Sequence, residues 1–135
     1  MSDNNEIRLS ITIHAPAEAI FEAWMDGDKH SAMTGSPATS KPKVGGKFTA
    51  WDGYISGEYL EIKPNERIIE TWRSTEFADG TPDSRLEVRL RRVKSGTLMT
   101  LIHTLLPADQ AEEYKKGWKE FYFKPMKKYF NGARP

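Results

Sequence analysis

The sequence predicts an α+β fold in which an antiparallel sheet of about six or seven strands packs against a long C-terminal helix. Three observations predict it. Residues 7 to 13 alternate apolar and polar with a period of two, the stretch from Lys43 to Leu105 is strand-patterned and broken only by turn signals, and the segment after Pro107 carries one apolar stripe at helical spacing.

In IRLSITIH, Ile7, Leu9, Ile11 and Ile13 share one face while Arg8, Ser10, Thr12 and His14 share the other, the pattern of a half-buried strand. APAEAIFEAW follows, with Pro16 suited to a first helical position and Ala17, Ile20, Phe21 and Trp24 along one side, so a short amphipathic helix is expected. MDGDKHSAMTGSPATSKP is poor in apolar residues and rich in Gly, Ser and Pro. It predicts a second short helical turn to about Met33, then a loop and an edge strand.

The meander comes next. KFTAWDGY and YISGEYLEI are separated by Asp52-Gly53, KPNE makes the following turn, and VKSGT makes another after RLEVRLRRV. Leu86, Val88 and Leu90 oppose Glu87, Arg89 and Arg91, and Met99, Leu101, His103 and Leu105 oppose Leu98, Thr100, Ile102 and Thr104, so one face of this pair is wet. Pro107 opens the last helix, in which Ala111, Tyr114, Trp118, Phe121, Pro125 and Tyr129 form the sheet-facing stripe and Lys115, Lys116, Lys119, Lys127 and Lys128 the solvated side. No repeat, linker or low-complexity run interrupts this order, and a single domain over residues 1–135 is expected.

Composition excludes several classes of function. With 20 lysines and arginines against 19 acidic residues, the net charge of +1 supplies no global field for nucleic acid or anionic lipid. The basic run of Arg89, Arg91, Arg92 and Lys94 is the wet face of a strand without interleaved aromatics, so neither a nucleic-acid nor a membrane partner is expected. The chain has no cysteine, which removes disulfides, thiolate metal sites and cysteine nucleophiles. Its start, MSDNNEIRLS, lacks the basic and apolar regions of a signal peptide, and a cytoplasmic protein is expected. His14, His30 and His103 lie on unrelated elements without metal-ligand spacing, and neither a nucleophile elbow nor a phosphate loop is present, so no metal and no cofactor are expected.

Four phrases carry a resemblance: ITIHAPAEAIFEAWMD, VGGKFTAWDGYISGEYLEIKPNERIIETW, SGTLMTLIHTLLP and Gly117-Trp118. In this order and spacing they resemble the activator of heat-shock protein 90 ATPase homologue (Aha-type) family, a branch of the START and birch-pollen-allergen superfamily, over about residues 7 to 131. The resemblance implies a helix-grip fold, in which a curved antiparallel sheet wraps the C-terminal helix and leaves a cavity between them. Members of the wider superfamily carry lipids, bind hormones or polyketides, or catalyse cyclisations, so the fold does not select one activity. Two departures stand out. Pro125 occupies a position usually held by an apolar residue one turn after the Gly-Trp phrase, which implies a kinked last helix. The tryptophan common after the first helix pair is also missing, and Met33 is the large apolar residue left there.

Glu70-Thr71-Trp72 poses the sharpest question about a site. If Trp72 faces the helix, alternation sends Ile68 and Glu70 inward with it, and a buried Glu70 must be protonated, hydrogen-bonded, paired or reached by water; His103 is the partner to name. In the opposite register Glu70 is in solvent and Thr71 inside. His103, on an apolar strand face, can equally be a satisfied core residue. The cavity-lining candidates are Phe48, Glu70, Trp72, Val88, Met99, Leu101 and His103 from the sheet, Met33 behind the first helices, and Trp118, Phe121 and Tyr122 from the last helix.

Three functions compete. The first is a stand-alone protein that binds a small hydrophobic or aromatic ligand in the cavity, as a monomer or homodimer. The second, which the resemblance implies, is a co-chaperone-like partner that binds or stimulates a heat-shock protein 90 ATPase. In the eukaryotic co-chaperones the similar part is the C-terminal one and a separate N-terminal domain, of which no counterpart is expected here, does much of the engagement. The third is a cavity enzyme of cyclase or hydrolase type using Glu70 and His103 as general acid and base, for which no nucleophile or oxyanion donor can be named.

Overall fold

The computed structural model describes residues 6–132. Seven strands form one antiparallel sheet: β1 (Ile7–Ile13), β2 (Thr39–Ser40), β3 (Lys47–Ala50), β4 (Ile55–Lys63), β5 (Arg67–Ser74), β6 (Ser84–Val93) and β7 (Gly96–Thr104), in the spatial order β1-β7-β6-β5-β4-β3-β2. The meander pairs each strand with its sequence neighbour, and β1 returns to close the far edge against β7, Ile7 opposite His103 and Ile13 opposite Thr97. Helices α1 (Ala17–Met25) and α2 (Gly27–Thr34) occupy the connection from β1 to β2. Asp26 ends the first and caps the second, its carboxylate accepting from the Lys29 N–H at 2.9 Å.

The strand faces follow the alternation. Leu86, Val88 and Leu90 of β6 and Met99, Leu101 and His103 of β7 are buried on the inner face. Leu105, expected to continue that row, is instead 68% exposed with φ +62, because β7 ends at Thr104 and the chain turns toward the last helix. In β4 the pairing with β5 is irregular. A Cβ on Gly57 would sit 2.0 Å from the Thr71 carbonyl, so only glycine permits this approach. The Glu58 N–H is taken by Thr71 Oγ1 at 2.9 Å, and one residue later the register slips by one between Tyr59 and Glu61, a β-bulge.

The last helix begins at Ala111 rather than Pro107, since residues 108–110 form a turn closed by Gln110 N–H to Pro107 O. It runs as α3 (Ala111–Gly117), a π-helical segment (Trp118–Phe123) and α4 (Lys124–Gly132). The expected response to Pro125 was a kink; the helix shows a wider turn just ahead of the proline, with Lys124 N–H reaching Lys119 O five residues back. Pro125 has no N–H to offer Phe121 O and its ring crowds that carbonyl, and the wider turn accommodates both.

The extra residue in that turn also shifts the buried stripe. Tyr114 and Trp118 face the sheet as predicted, but beyond them Tyr122, Phe123, Met126 and Phe130 are buried, while Pro125 and Tyr129 are only partly covered and Phe121 is 57% exposed. Straight 3.6-residue periodicity places Phe121, Pro125 and Tyr129 on the wrong side for this reason.

Candidate functional site

One row across the sheet, Tyr59, Glu70, Leu86, His103 and Ile7 on five neighbouring strands, points entirely inward and is buried throughout. Glu70 is 2% exposed and Trp72 lies beside it on the same face, so the register that takes both inward is the one the protein adopts. The opposing pressure of burying a carboxylate is met by apolar neighbours on either side: Ile68 and Trp72 are both buried.

Glu70 and His103 do not pair. Leu86 stands between them in the row, which separates their strands by two spacings, about 9.5 Å. Each joins a different network. The Ser84 hydroxyl donates to the Trp72 carbonyl at 2.6 Å and therefore accepts from His103 Nε2 at 2.8 Å, while Trp118 Nε1 donates to His103 Nδ1 at 3.1 Å. These partners specify the neutral Nε2–H tautomer. Burial holds the imidazole at a pKa of about 3, and protonating Nδ1 would set its new N–H against the Trp118 indole N–H. His103 is a closed structural hinge between β6, β7 and the last helix.

Glu70 is matched less completely. Its partner within hydrogen-bond distance among the described residues is Trp24 Nε1, at 3.3 Å. Burial raises its pKa to about 8 and that bond lowers it only in part, so at neutral pH Glu70 is chiefly the uncharged acid. Trp24 also offers its carbonyl to His30 Nδ1 at 3.0 Å, and the remaining His30 Nε2 accepts the Tyr122 hydroxyl at 2.9 Å. His30, for which the sequence names no partner, thus holds Tyr122; burial pushes its pKa down and keeps it neutral. Tyr59 bonds Ser40 Oγ at 2.7 Å.

Two spaces adjoin this arrangement. The larger, about 320 Å³, lies between sheet and last helix and is lined by Trp51, Tyr54, Ile55, Trp72, Tyr114, Gly117, Trp118, Phe121 and Tyr122, an almost wholly aromatic wall. The smaller, about 10 Å³, lies behind it and is bordered by Glu70, Tyr59, His30, Trp24, Ser40 and Phe48 among others. Ile55, Trp72, Trp118 and Tyr122 border both. A hydrogen-bond chain holds the far wall of the larger space. Tyr114 donates to Gln110 Oε1 at 2.6 Å and so accepts from the Ser74 hydroxyl at 2.6 Å, and Gln110 Nε2 donates to the Glu76 carbonyl at 3.1 Å.

Of the residues expected to line a cavity, Trp72, Trp118, Phe121 and Tyr122 border the larger space and Phe48 and Glu70 the smaller. Met33, Val88, Met99 and Leu101 are buried in the core and border neither, and His103 sits behind Trp72, ring centroids 4.6 Å apart. Sequence reading missed Trp51, Tyr54, Ile55, Tyr114 and Gly117. Trp51 was assigned to a strand, but β3 stops at Ala50 and Trp51 is the first of three successive residues with positive φ (54, 56 and 90), which turns its indole toward the helix. The Asp52-Gly53 turn signal was the clue. Among the described residues no cluster of His, Asp and Glu is placed to hold a metal ion, and no helix is long and apolar enough to cross a membrane.

A curved antiparallel meander gripping one long helix, with an aromatic cavity between the two, defines a helix-grip protein of the START-like class. Residues 14–131 match the family model described as activator of Hsp90 ATPase homolog 1-like protein, and the chain belongs to that family. It is 28% identical over 130 residues to the human activator of 90 kDa heat shock protein ATPase homolog 1, covering 96% of this chain and 38% of that protein. It is 32% identical over 121 residues to the mouse homolog 2, covering 90% and 36% respectively. The chain therefore spans less than two-fifths of the length of these relatives. Among solved structures, an HSP90 activator from Plasmodium falciparum superposes with a TM-score of 0.84 at 27% identity, covering 94% of this chain and 96% of that one. An Aha1 dimer from Colwellia psychrerythraea gives 0.79 at 16% identity, with coverage of 96% and 98%, and shares the fold.

Proposed function

We propose that the protein binds a small apolar or aromatic molecule in the cavity between the sheet and the last helix. The observation that carries this reading is the 320 Å³ space itself, at the lower end of the range of about 300–1,000 Å³ for small-molecule sites and walled by seven aromatic residues and Ile55 around Gly117. Gly117 supports it separately. It lies inside a helix with φ −61, where glycine costs roughly 1 kcal/mol against alanine, and a Cβ there would meet only Phe121 Cδ2, at 3.8 Å. A side chain at this position would enter the cavity.

Gly117→Leu is accordingly the plug that tests the reading. Native mass spectrometry of the purified protein and thermal shifts against aromatic and lipid-like compounds should give a bound mass or a concentration-dependent rise in melting temperature in the natural chain. Both should vanish in Gly117→Leu with the fold retained. A shift that survives the plug places binding elsewhere and ends this proposal.

A second reading, contact with an Hsp90-type chaperone, draws on the names of the relatives. A groove on the outer sheet face is bordered by Arg8 and Arg91 together with Lys63, Arg67 and Arg89, which pair with Glu66, Glu61 and Glu87, so Arg8 and Arg91 are the contacts it would offer an acidic partner. Charge reversal of Arg8 and Arg91 should abolish stimulation of a chaperone ATPase by this chain. Without stimulation in the unaltered protein, this reading fails.

A further inference from the structure

Three departures from regular backbone border the two spaces. Trp51 holds a positive φ of 54, rare for a bulky side chain; the bulge in β4 falls at Tyr59, directly opposite Glu70; and the π-helical segment carries Trp118, Phe121 and Tyr122. The π turn accommodates Pro125 and the positive φ of Trp51 belongs to the Asp52-Gly53 turn, and each also fixes where a wall residue of the two spaces points. Backbone irregularities cluster where side chains must be re-aimed, and here all three aim at the same place. The bulge presents Tyr59 beside Glu70, and the π turn carries Trp118 and Tyr122, which border both the aromatic cavity and the chamber holding Glu70.

Building on the cavity reading, we infer that the two spaces form one binding site, in which Glu70 anchors a single neutral hydroxyl carried by an aromatic ligand whose body lies among Trp51, Trp72, Trp118 and Phe121. The chamber, about 10 Å³, admits roughly one water-sized group. Among the described residues Glu70 has one hydrogen bond, from Trp24, and its two oxygens have capacity for more; Tyr59, His30 and Tyr122 each have a partner of their own. A hydroxyl both donates and accepts, so it satisfies Glu70 as acid or as carboxylate. A carboxylate ligand finds no cation among the chamber residues and meets Glu70 instead, so anions are rejected.

The test compares naphthalene, 2-naphthol and 2-naphthoate by isothermal titration or thermal shift on the full chain. 2-Naphthol should bind at least tenfold more tightly than naphthalene, and 2-naphthoate should not bind. In Glu70→Leu the naphthol advantage should disappear while naphthalene binding remains; an advantage that persists there overturns the anchor. Should Glu70→Leu not fold, the hydroxyls of the outer wall decide: Tyr54→Phe and Tyr114→Phe must leave the advantage intact, and its loss in either would move the anchor out of the chamber and refute the inference. Naphthalene bound equally with naphthol, and blocked by Gly117→Leu, sinks the anchor and leaves the cavity standing. Failure of both compounds to bind, like tight binding of naphthoate, sinks the anchor, and the cavity reading is then decided separately by the Gly117→Leu comparison.

Discussion

His103 and Glu70 stand in the same row of the sheet, two strands apart and almost equally buried, yet they are opposites. Every polar atom of the His103 ring has a partner whose own valences are used, and its surroundings are solid with Trp72 and Trp118. Among the described residues Glu70 has one bond, at 3.3 Å, and a small space beside it. The difference teaches that burial of a polar group says little by itself about its role. A saturated network specifies a core, and spare capacity next to a cavity marks a place where something else can bind.

The comparison can be broken most forcefully at its closed end. His103→Ala removes a packed ring and strands the Trp118 indole N–H, and is expected to cost about 3–4 kcal/mol by urea unfolding. A loss under 1 kcal/mol would mean that the network is not the structural hinge its geometry describes.

Next in size is the dependence of stability on pH, in which the two residues pull in opposite directions. The folded pKa of His103 is depressed to about 3 from 6.5, so its contribution is complete above pH 6.5 and is lost as pH falls toward 3. His30, also lowered, adds to the acid side. The folded pKa of Glu70 is raised from 4.5 to about 8, so its contribution is complete below pH 4.5 and is lost as pH rises toward 8. Each slope is about 1.4 kcal/mol per pH unit, so Glu70 and His103 give a plateau between pH 4.5 and 6.5 and a fall of roughly 2 kcal/mol between 6.5 and 8. Glu70→Gln should abolish the alkaline fall and leave the acid one; denaturation midpoints across the range would reveal an unchanged alkaline limb if burial of the carboxyl were not its cause.

Tyr122→Phe sharpens the comparison between the two histidines. It deprives His30 Nε2 of its donor while keeping the ring, at an expected cost of about 1–2 kcal/mol, and it should raise the pKa of His30 but not that of His103, as followed by imidazole NMR titration. The smallest effect is expected at Gly117→Ala, a gain of about 0.5–1 kcal/mol in a helix where glycine serves space rather than stability. A loss there would show that the position tolerates no side chain and would disqualify the plug.

Much of the fold was legible because it rests on local periodicity. The alternation in Ile7–Ile13, the turn residues between the strands and the apolar spacing of Ala17, Ile20 and Trp24 each need only neighbours in sequence. That Glu70 and Trp72 share a face was legible too, since side chains two residues apart point the same way, but the sequence left both registers open and the structure chose the inward one. The candidate site was legible in part for the same reason: Trp72, Trp118 and Tyr122 line the aromatic cavity, but Phe121 does so only from an exposed rim. Other placements depended on one-residue shifts that leave no periodic trace. The bulge at Tyr59 to Glu61 and the π turn at Trp118 to Phe123 each insert a residue, and each redirects the side chains that follow.

By itself, then, the sequence determined which segments are chiefly strand or helix, which faces are apolar, and that Glu70 shares a face with Trp72, because these are properties of residues a few positions apart; that this face turns inward was the structure's decision. Only the tertiary structure decided that Glu70 meets Trp24 rather than His103, that His30 holds Tyr122, and that Trp51 and Gly117 complete an aromatic cavity. Those partners lie 46 and 92 residues apart in two cases, and what brings them together is how many strands separate two residues of a row and how the helix, widened ahead of Pro125, sets its side chains against the sheet, which the periodic pattern of a single element does not specify.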